Sequence, residues 1–413
     1  MFENVQAAPA DKILGLMMQF REDPRKDKLD LGVGVYKDSH GDTPVLSAIR
    51  SAELRLFDSQ KTKAYVGVQG DKEFCAEMGS LVLGDSVSMD RTRICQAPGG
   101  TGALSILSML IGRTTPGATV WVSDPTWPNH MPLLHNAHLK TQQYPYYDTK
   151  NGKLLFAEMM EALSAAKPGD VLLVHGCCHN PTGADLDLEQ WRAIADLCLE
   201  KGLLPFVDFA YLGFGDGLEE DAAGLRLLAS KVPEMLVAAS CSKNFGVYRE
   251  RVGAAMIIAA EPSQAEATFT QLMAVTRAVY SMPPDHGAAI VRMVLTDPHL
   301  KSEWITELTD MRNRMLKLRS GFAEALRRES NSSRFDFIAD QRGMFSRLGI
   351  APEEIDRIRA DHGIYIVGDS RINIAGLPDN RLDDCRDDFC FDVRDFLRLC
   401  HAHHLEYFVA KIS

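Results

Sequence analysis

The sequence predicts an α/β fold in which a mostly parallel sheet flanked by helices is followed by a smaller α+β unit. Two observations predict it. From about residue 100 to 260, short continuous apolar runs alternate with longer amphipathic ones, the pattern of strands covered on both faces and joined by helices. After Pro298 the texture changes to one long amphipathic stretch and then short strand-like runs. No repeat, low-complexity block or Gly/Ser/Pro-rich linker divides the 413 residues, a length that suggests two or three domains.

In chain order, the candidate strands are Val120–Ser123, Val171–Gly176, Leu204–Phe209, Met235–Ser240 and Gly253–Ala259. Between them lie helical segments. One begins at Asp187, with Gln190 three residues on as a capping box, and stops at Gly202. In the second unit Trp304, Leu308, Met311, Met315, Leu318, Phe322 and Leu326 recur at spacings of three and four, which predicts a single long helix. The runs FDFIA, GMFSRL, IYIVG and RINIAG that follow read as short strands.

Composition excludes several classes of function. With 46% apolar and 24% charged residues the chain is ordinary for a globular protein and needs no disulfide or metal staple. A net charge of -11 argues against general binding to nucleic acid or anionic membranes. The longest purely apolar stretch, Val252 to Ala260, is too short to span a bilayer. Nine cysteines without a CxxC pair argue against a disulfide framework. The opening MFENVQAAPADK has neither a basic n-region nor an apolar h-region, so the expected location is a reducing cytoplasm.

Four clusters carry candidate chemistry. In Ala97–Leu110, glycines 99, 100 and 102 precede an apolar-periodic segment; such a turn opens a helix whose N–H groups and dipole favour an anion. It is neither GxGxxG nor Walker A, and a tight turn without a ligand reads equally well. HGCCHNPTG (His175–Gly183) follows an apolar strand, where open α/β sheets bind ligands. Its spacing gives no recognisable zinc set, and vicinal Cys177 and Cys178 on a strand would face opposite ways, so no metal is expected. Asp208 closes a strand so apolar that its carboxylate must meet a cation or donors, with Tyr211 close by. Lys243 lies between two apolar stretches, where desolvation lowers an amine's pKa, and Arg251 adds a cation. Ser240 and Lys243 also satisfy S-x-x-K, but no SDN or KTG element accompanies them. A phosphate turn, a buried acid and a desolvated lysine at successive strand ends are the set that pyridoxal phosphate chemistry requires.

At this point the sequence resembles the class I aminotransferases of the aspartate aminotransferase subgroup, which are fold type I pyridoxal-phosphate enzymes. The matching stretches include DLGVGVYKD, AYVGVQG, PGGTGAL, VWVSDPTWPNH, HGCCHNPTG, FVDFAY, SKNFGVYRERVG, YSMPPDHGA, GMFS and SRINIAGL, in order over about nine-tenths of the chain. The resemblance implies a large domain, residues 46–299, built on a mostly parallel seven-stranded sheet. It implies a small α+β domain of 14–45 with 300–413, and an arm, 1–13, that contacts a second subunit.

It also implies roles. Lys243 would be the Schiff-base lysine and proton shuttle, and Asp208 the partner of the pyridinium nitrogen, with His130 behind it. Asn180 and Tyr211 would bond the phenolic oxygen, and Trp127 would stack on the ring. Gly100, Thr101, Ser240, Ser242 and Arg251 would hold the phosphate, joined by Tyr65 from the partner subunit. Arg371 would clamp the substrate α-carboxylate, a task that suits a bidentate guanidinium. Arg277, reaching across a homodimer, would bind the side-chain carboxylate, and Gly34 with Val33 would line the substrate pocket. The implied activity is ping-pong transfer between L-aspartate or L-glutamate and 2-oxoglutarate or oxaloacetate; a broader enzyme that also takes tyrosine, phenylalanine and tryptophan keeps the same arginines. A catalytically silent homologue would lack Lys243, Asp208 or Arg371, and all three are present. After Leu377 the chain departs from the family's usual closing helix. There Cys400, His401, His403 and His404 read as part of an amphipathic helix in preference to a metal cluster.

Overall fold

The computed structural model describes residues 2–7 and 12–379. Cys385, Cys390 and the Cys400–His404 cluster lie outside the described residues, as do residues 1 and 8–11 of the expected arm. The central sheet has seven strands: β1 Thr92–Pro98, β2 Thr119–Asp124, β3 Lys140–Pro145, β4 Val171–His175, β5 Leu204–Phe209, β6 Met235–Ser240 and β7 Val252–Ile258. Their spatial order is β1-β7-β6-β5-β4-β2-β3, and only β7 runs antiparallel to its neighbours. All five expected strands are present.

The continuous apolarity of these strands has a direct cause. Val120, Val122, Val171, Leu173, Phe206 and Ala238 pack on one face with the helix Gly99–Thr114. The alternate residues Trp121, Leu172, Val174, Val207, Val237 and Ala239 pack on the other, under the helices Leu188–Lys201 and Leu218–Lys231. Successive strand residues point to opposite faces, so a strand covered twice must be apolar throughout. The helix Leu188–Lys201 carries the expected capping box between Asp187 and Gln190, and Gly202 ends it in the left-handed conformation at φ 64°.

Helix Pro298–Ser330 is the long helix the periodicity predicts. Its first half, from Leu300 to Met315, packs into the sheet's core. Its second half, Leu318 to Leu326, packs into a separate core with Leu31, Ile355, Ile366 and Ile372. Small strands sit there: Leu29–Asp30 pairs with Ile364–Tyr365, and Phe345–Arg347 with Arg371–Asn373. FDFIA is a correction. Phe337–Asp340 is a turn of helix, not a strand, because Phe335 and Ile338, three apart, both turn inward onto the long helix. Among the described residues no helix is long and apolar enough to cross a membrane.

Candidate active site

A cleft with a cavity volume of about 170 Å³ lies along the C-terminal ends of the parallel strands, where open α/β sheets place their ligands. Gly34, Gly100, Thr101, Trp127, Asn180, Asp208, Tyr211, Ser240, Ser242, Lys243 and Arg251, all anticipated from the sequence, line it. Each follows from the topology. Gly100 and Thr101 open the helix after β1, Trp127 follows β2, Asn180 follows β4, Asp208 and Tyr211 end β5, and Ser240 to Lys243 end β6. Arg251 immediately precedes the antiparallel β7 and so reaches the same edge.

At one end the cleft is built for an anion. The helix Gly99–Thr114 has no side-chain cap, which leaves its first N–H groups free. Gly99 has φ 75°, and a Cβ there would lie 2.5 Å from Arg251 Nη2, so glycine is what lets the guanidinium lie against the helix start. Arg251 Nη1 donates to the Tyr248 carbonyl (3.1 Å) and to Ser242 Oγ (3.4 Å), while the Ser242 amide donates to Ser240 Oγ (3.2 Å). A helix dipole, a guanidinium and two hydroxyls suit a phosphate dianion.

In the middle, Asp208 is buried at the end of β5. An ionised carboxylate only accepts, so His130 Nε2–H donates to Asp208 Oδ2 at 3.0 Å, and His130 Nδ1 pairs with Thr126 Oγ1 at 2.7 Å. Burial pushes the Asp208 carboxyl upward, but the His130 hydrogen bond, with the electrostatic pull of His130 and Lys243, outweighs it and the net shift is downward. Asp208 therefore stays anionic and faces the cleft. His175 pairs with Asp208 in register, so both leave the sheet on one face. Burial pushes the His175 imidazole down to about 3, keeping it neutral.

Opposite, the Lys243 amine lies 4.6 Å from the centre of the Tyr211 ring. Burial lowers its pKa to about 8 against the pull of Asp208. Burial in turn holds the Tyr211 phenol in its neutral form, well above its usual value. Arg371 is buried one hydrogen bond behind the lining: Nη1 donates to Asn180 Oδ1 (3.3 Å) and Nη2 to the Gly32 carbonyl (2.9 Å), while Nε has no partner.

Val33, half-buried beside Gly34, does not line the cleft, and two further anticipated residues are not brought into it. Tyr65 is 92% exposed, and Arg277 is exposed in the last turn of helix Pro262–Val279. The reading of Cys177 and Cys178 is corrected. β4 ends at His175, the chain bends with Cys178 at φ 51°, and both thiols gather with Asp221 rather than facing apart. The Asp221 carboxylate already accepts N–H bonds from Gly213, Gly215, Asp216 and Gly217, which leaves no electron pair for a cation. His175, read only as the start of a ligand-binding turn, lines the site, and Tyr248 and Phe345 were not anticipated there. Their motifs were in view, but an aromatic residue in an apolar run reads as core.

A lysine poised to be neutral, a carboxylate held ionic and a phosphate cradle, all at the C-terminal ends of one sheet, are what a pyridoxal-phosphate enzyme needs. The residues present fit pyridoxal 5′-phosphate, since each of its polar groups has a partner of the right charge. The model of the class I and II aminotransferases matches residues 26–388, and the chain belongs to that family. An aromatic-amino-acid aminotransferase of Paracoccus denitrificans is 50% identical over 382 residues, 92% of this chain and 97% of that protein. An aspartate aminotransferase of Escherichia coli (strain K12) is 47% identical over 384 residues, again 92% and 97%. The structure of an aromatic-amino-acid aminotransferase from Burkholderia pseudomallei, covalently bound to pyridoxal phosphate, superposes with a TM-score of 0.90 at 41% identity, over 93% of this chain and 97% of that one. The enzyme is thus an aminotransferase whose cofactor is pyridoxal 5′-phosphate.

Proposed function

We propose that the enzyme moves amino groups between L-aspartate or L-glutamate and the corresponding 2-oxo acids, as a cytoplasmic homodimer. The observation that carries the reading is that the buried Lys243 amine, its pKa lowered by burial, lines the same cleft as the anionic Asp208. When bound, the cofactor supplies an aldehyde to hold the amino group and a ring that withdraws electrons. Lys243 would serve as the base that takes the substrate α-proton onto its Nζ. Asp208 keeps the ring nitrogen protonated, with His130 orienting the carboxylate. Asn180 and Tyr211 hydrogen-bond the phenolic oxygen, Trp127 covers the ring face, and Gly100, Thr101, Ser240, Ser242 and Arg251 hold the phosphate. Arg371 receives the α-carboxylate beside Gly34 and Val33.

Tyr65 and Arg277 support the dimer. Neither lines the cleft of its own chain, and both are free to reach a partner's, Tyr65 for the phosphate and Arg277 for a substrate side-chain carboxylate. The division into an arm (1–13), a cofactor domain (46–299) and a small domain (14–45 with 300–413) belongs to the same proposal. The separate core of Leu318, Leu31, Ile355 and Ile372 supports the small domain, although Leu300 to Met315 pack with the sheet. A broader enzyme that also takes aromatic substrates is favoured by the 50% identity to a relative of that name.

Steady-state rates with aspartate, glutamate, tyrosine and phenylalanine test this. Turnover of the dicarboxylates at least about tenfold above the aromatics supports the dicarboxylate reading; comparable kcat/KM values establish the broad one. Absence of turnover with all four ends both.

The lysine pKa gives a separate expectation. Only the neutral amine attacks an aldehyde, so in cofactor-free protein the rate of pyridoxal phosphate capture should fall about tenfold per unit below pH 8. It should level off above pH 8, because Lys243 is then largely deprotonated. Stopped-flow absorbance measures it. A rate still climbing above pH 9 would contradict the desolvated site.

A further inference from the structure

Arg371 is a buried cation with no carboxylate in salt-bridge reach among the described residues. What lies against it instead is a ring: its guanidinium carbon sits 4.4 Å from the centre of Phe345. The same ring meets Tyr211 edge-on, with centroids 6.0 Å apart at 84°. Its tip reaches the cleft lining, since a Cβ built on Gly34 would lie 3.0 Å from Phe345 Cζ. Phe345 is 2% exposed and touches the clamp arginine, the cofactor-side tyrosine and the substrate-pocket glycine together.

The ring is held from behind. Phe345 pairs with Asn373 in the small sheet. Its carbonyl accepts from Nη2 of Arg319 at 2.6 Å. Arg319 is fully buried and also donates to the carbonyls of Gly343, Ile338 and Arg342 and to Ser346 Oγ. Five acceptors around one planar fork leave the backbone of the 338–346 segment little freedom, and Arg371, Tyr211 and Gly34 bound the ring.

We infer that Phe345 is a positioning residue for substrate carboxylates, a flat platform that fixes the plane of the Arg371 guanidinium. An aromatic face attracts a cation without accepting its in-plane N–H bonds. A carboxylate at the same place would neutralise Arg371 and compete with the substrate; the ring leaves the N–H groups available, including the unpartnered Nε. Asn180 and Gly32 hold the fork's other corners, so three elements set its orientation before substrate arrives. This rests on the reading of Arg371 as the α-carboxylate clamp.

The test uses the dimeric holoenzyme and succinate, a carboxylate that lacks an amino group and so binds without reacting. In Phe345→Leu the calorimetric Kd for succinate should rise about tenfold, equivalent to ~1.4 kcal/mol. KM for aspartate and for tyrosine should rise by a similar factor, since both carry an α-carboxylate, while kcat moves less than about threefold. Replacing Phe345 with 3,5-difluorophenylalanine keeps the flat shape but withdraws charge from the ring face, so its Kd should lie between those of the parent and the leucine variant. A fall in kcat with Kd unmoved in Phe345→Leu overturns the proposal. If Arg371→Leu leaves succinate binding intact, the clamp reading itself is wrong; if it abolishes binding and Phe345→Leu does nothing, only the platform fails.

Discussion

Replacing Lys243 with alanine is expected to lower kcat by roughly 10⁴-fold or more, because it removes both the amine that captures the cofactor aldehyde and the base that moves the α-proton. The fold should survive. The folded-state pKa of Lys243, about 8, lies below the ordinary lysine value of 10.5. The unfolded chain therefore binds more protons between those values, and the folded protein is penalised at pH 7, where a buried amine must be charged. Removing the amine lifts that penalty, so cofactor-free Lys243→Ala should melt at or above the parent temperature at pH 7. Exchange of the aspartate α-proton with deuterated water, followed by NMR, separates binding from proton transfer. The variant should still bind the cofactor non-covalently and show no exchange. Exchange at the parent rate would remove Lys243 from the role of base.

The site was readable in the sequence because its polar residues end apolar strands. Asp208 after PFV, and Lys243 three residues past the end of the strand MLVAAS, stand out against the apolar core runs before them. Two strands left no such trace. β3, KTQQYP, is an edge strand that buries only Tyr144, so it needs no apolar run. β1, TRICQAP, carries Arg93 and Gln96 within its length, and the Gln96 side-chain amide is spent tying the Pro284 carbonyl. FDFIA has the alternation of a strand, and only its packing against the long helix makes it a turn of helix. Phe345 and Tyr248 were hidden for the opposite reason. Their hydrophobicity is that of core residues, and what distinguishes them is a neighbour far away in sequence: Arg371 for one, and for the other the Tyr36 amide that donates to its hydroxyl at 2.9 Å. Gly34 and Arg371 needed the family resemblance, since a guanidinium in a short strand carries no periodic signature.

Asp208→Asn should cut kcat/KM by about 10³-fold, the scale seen when one preorganised charge partner is lost from a buried site. The substitution is nearly isosteric, so His130 Nε2–H still finds an oxygen acceptor at the end of β5. The amide nitrogen then turns its N–H groups toward the cleft, where a ring nitrogen must accept rather than donate, and the ring can no longer be held protonated. Aspartate and tyrosine should lose activity by the same factor, because Asp208 faces the cofactor while Arg371 is set apart behind Asn180. His130→Asn is the instructive companion. It keeps the carboxylate but deletes the hydrogen bond that holds its pKa below the ordinary value. Burial then dominates and the Asp208 pKa rises, so the acid limb of the pH–rate profile should move to higher pH while the plateau falls far less than in Asp208→Asn. An acid limb that stays in place in His130→Asn would mean that His130 only fills space beside Asp208.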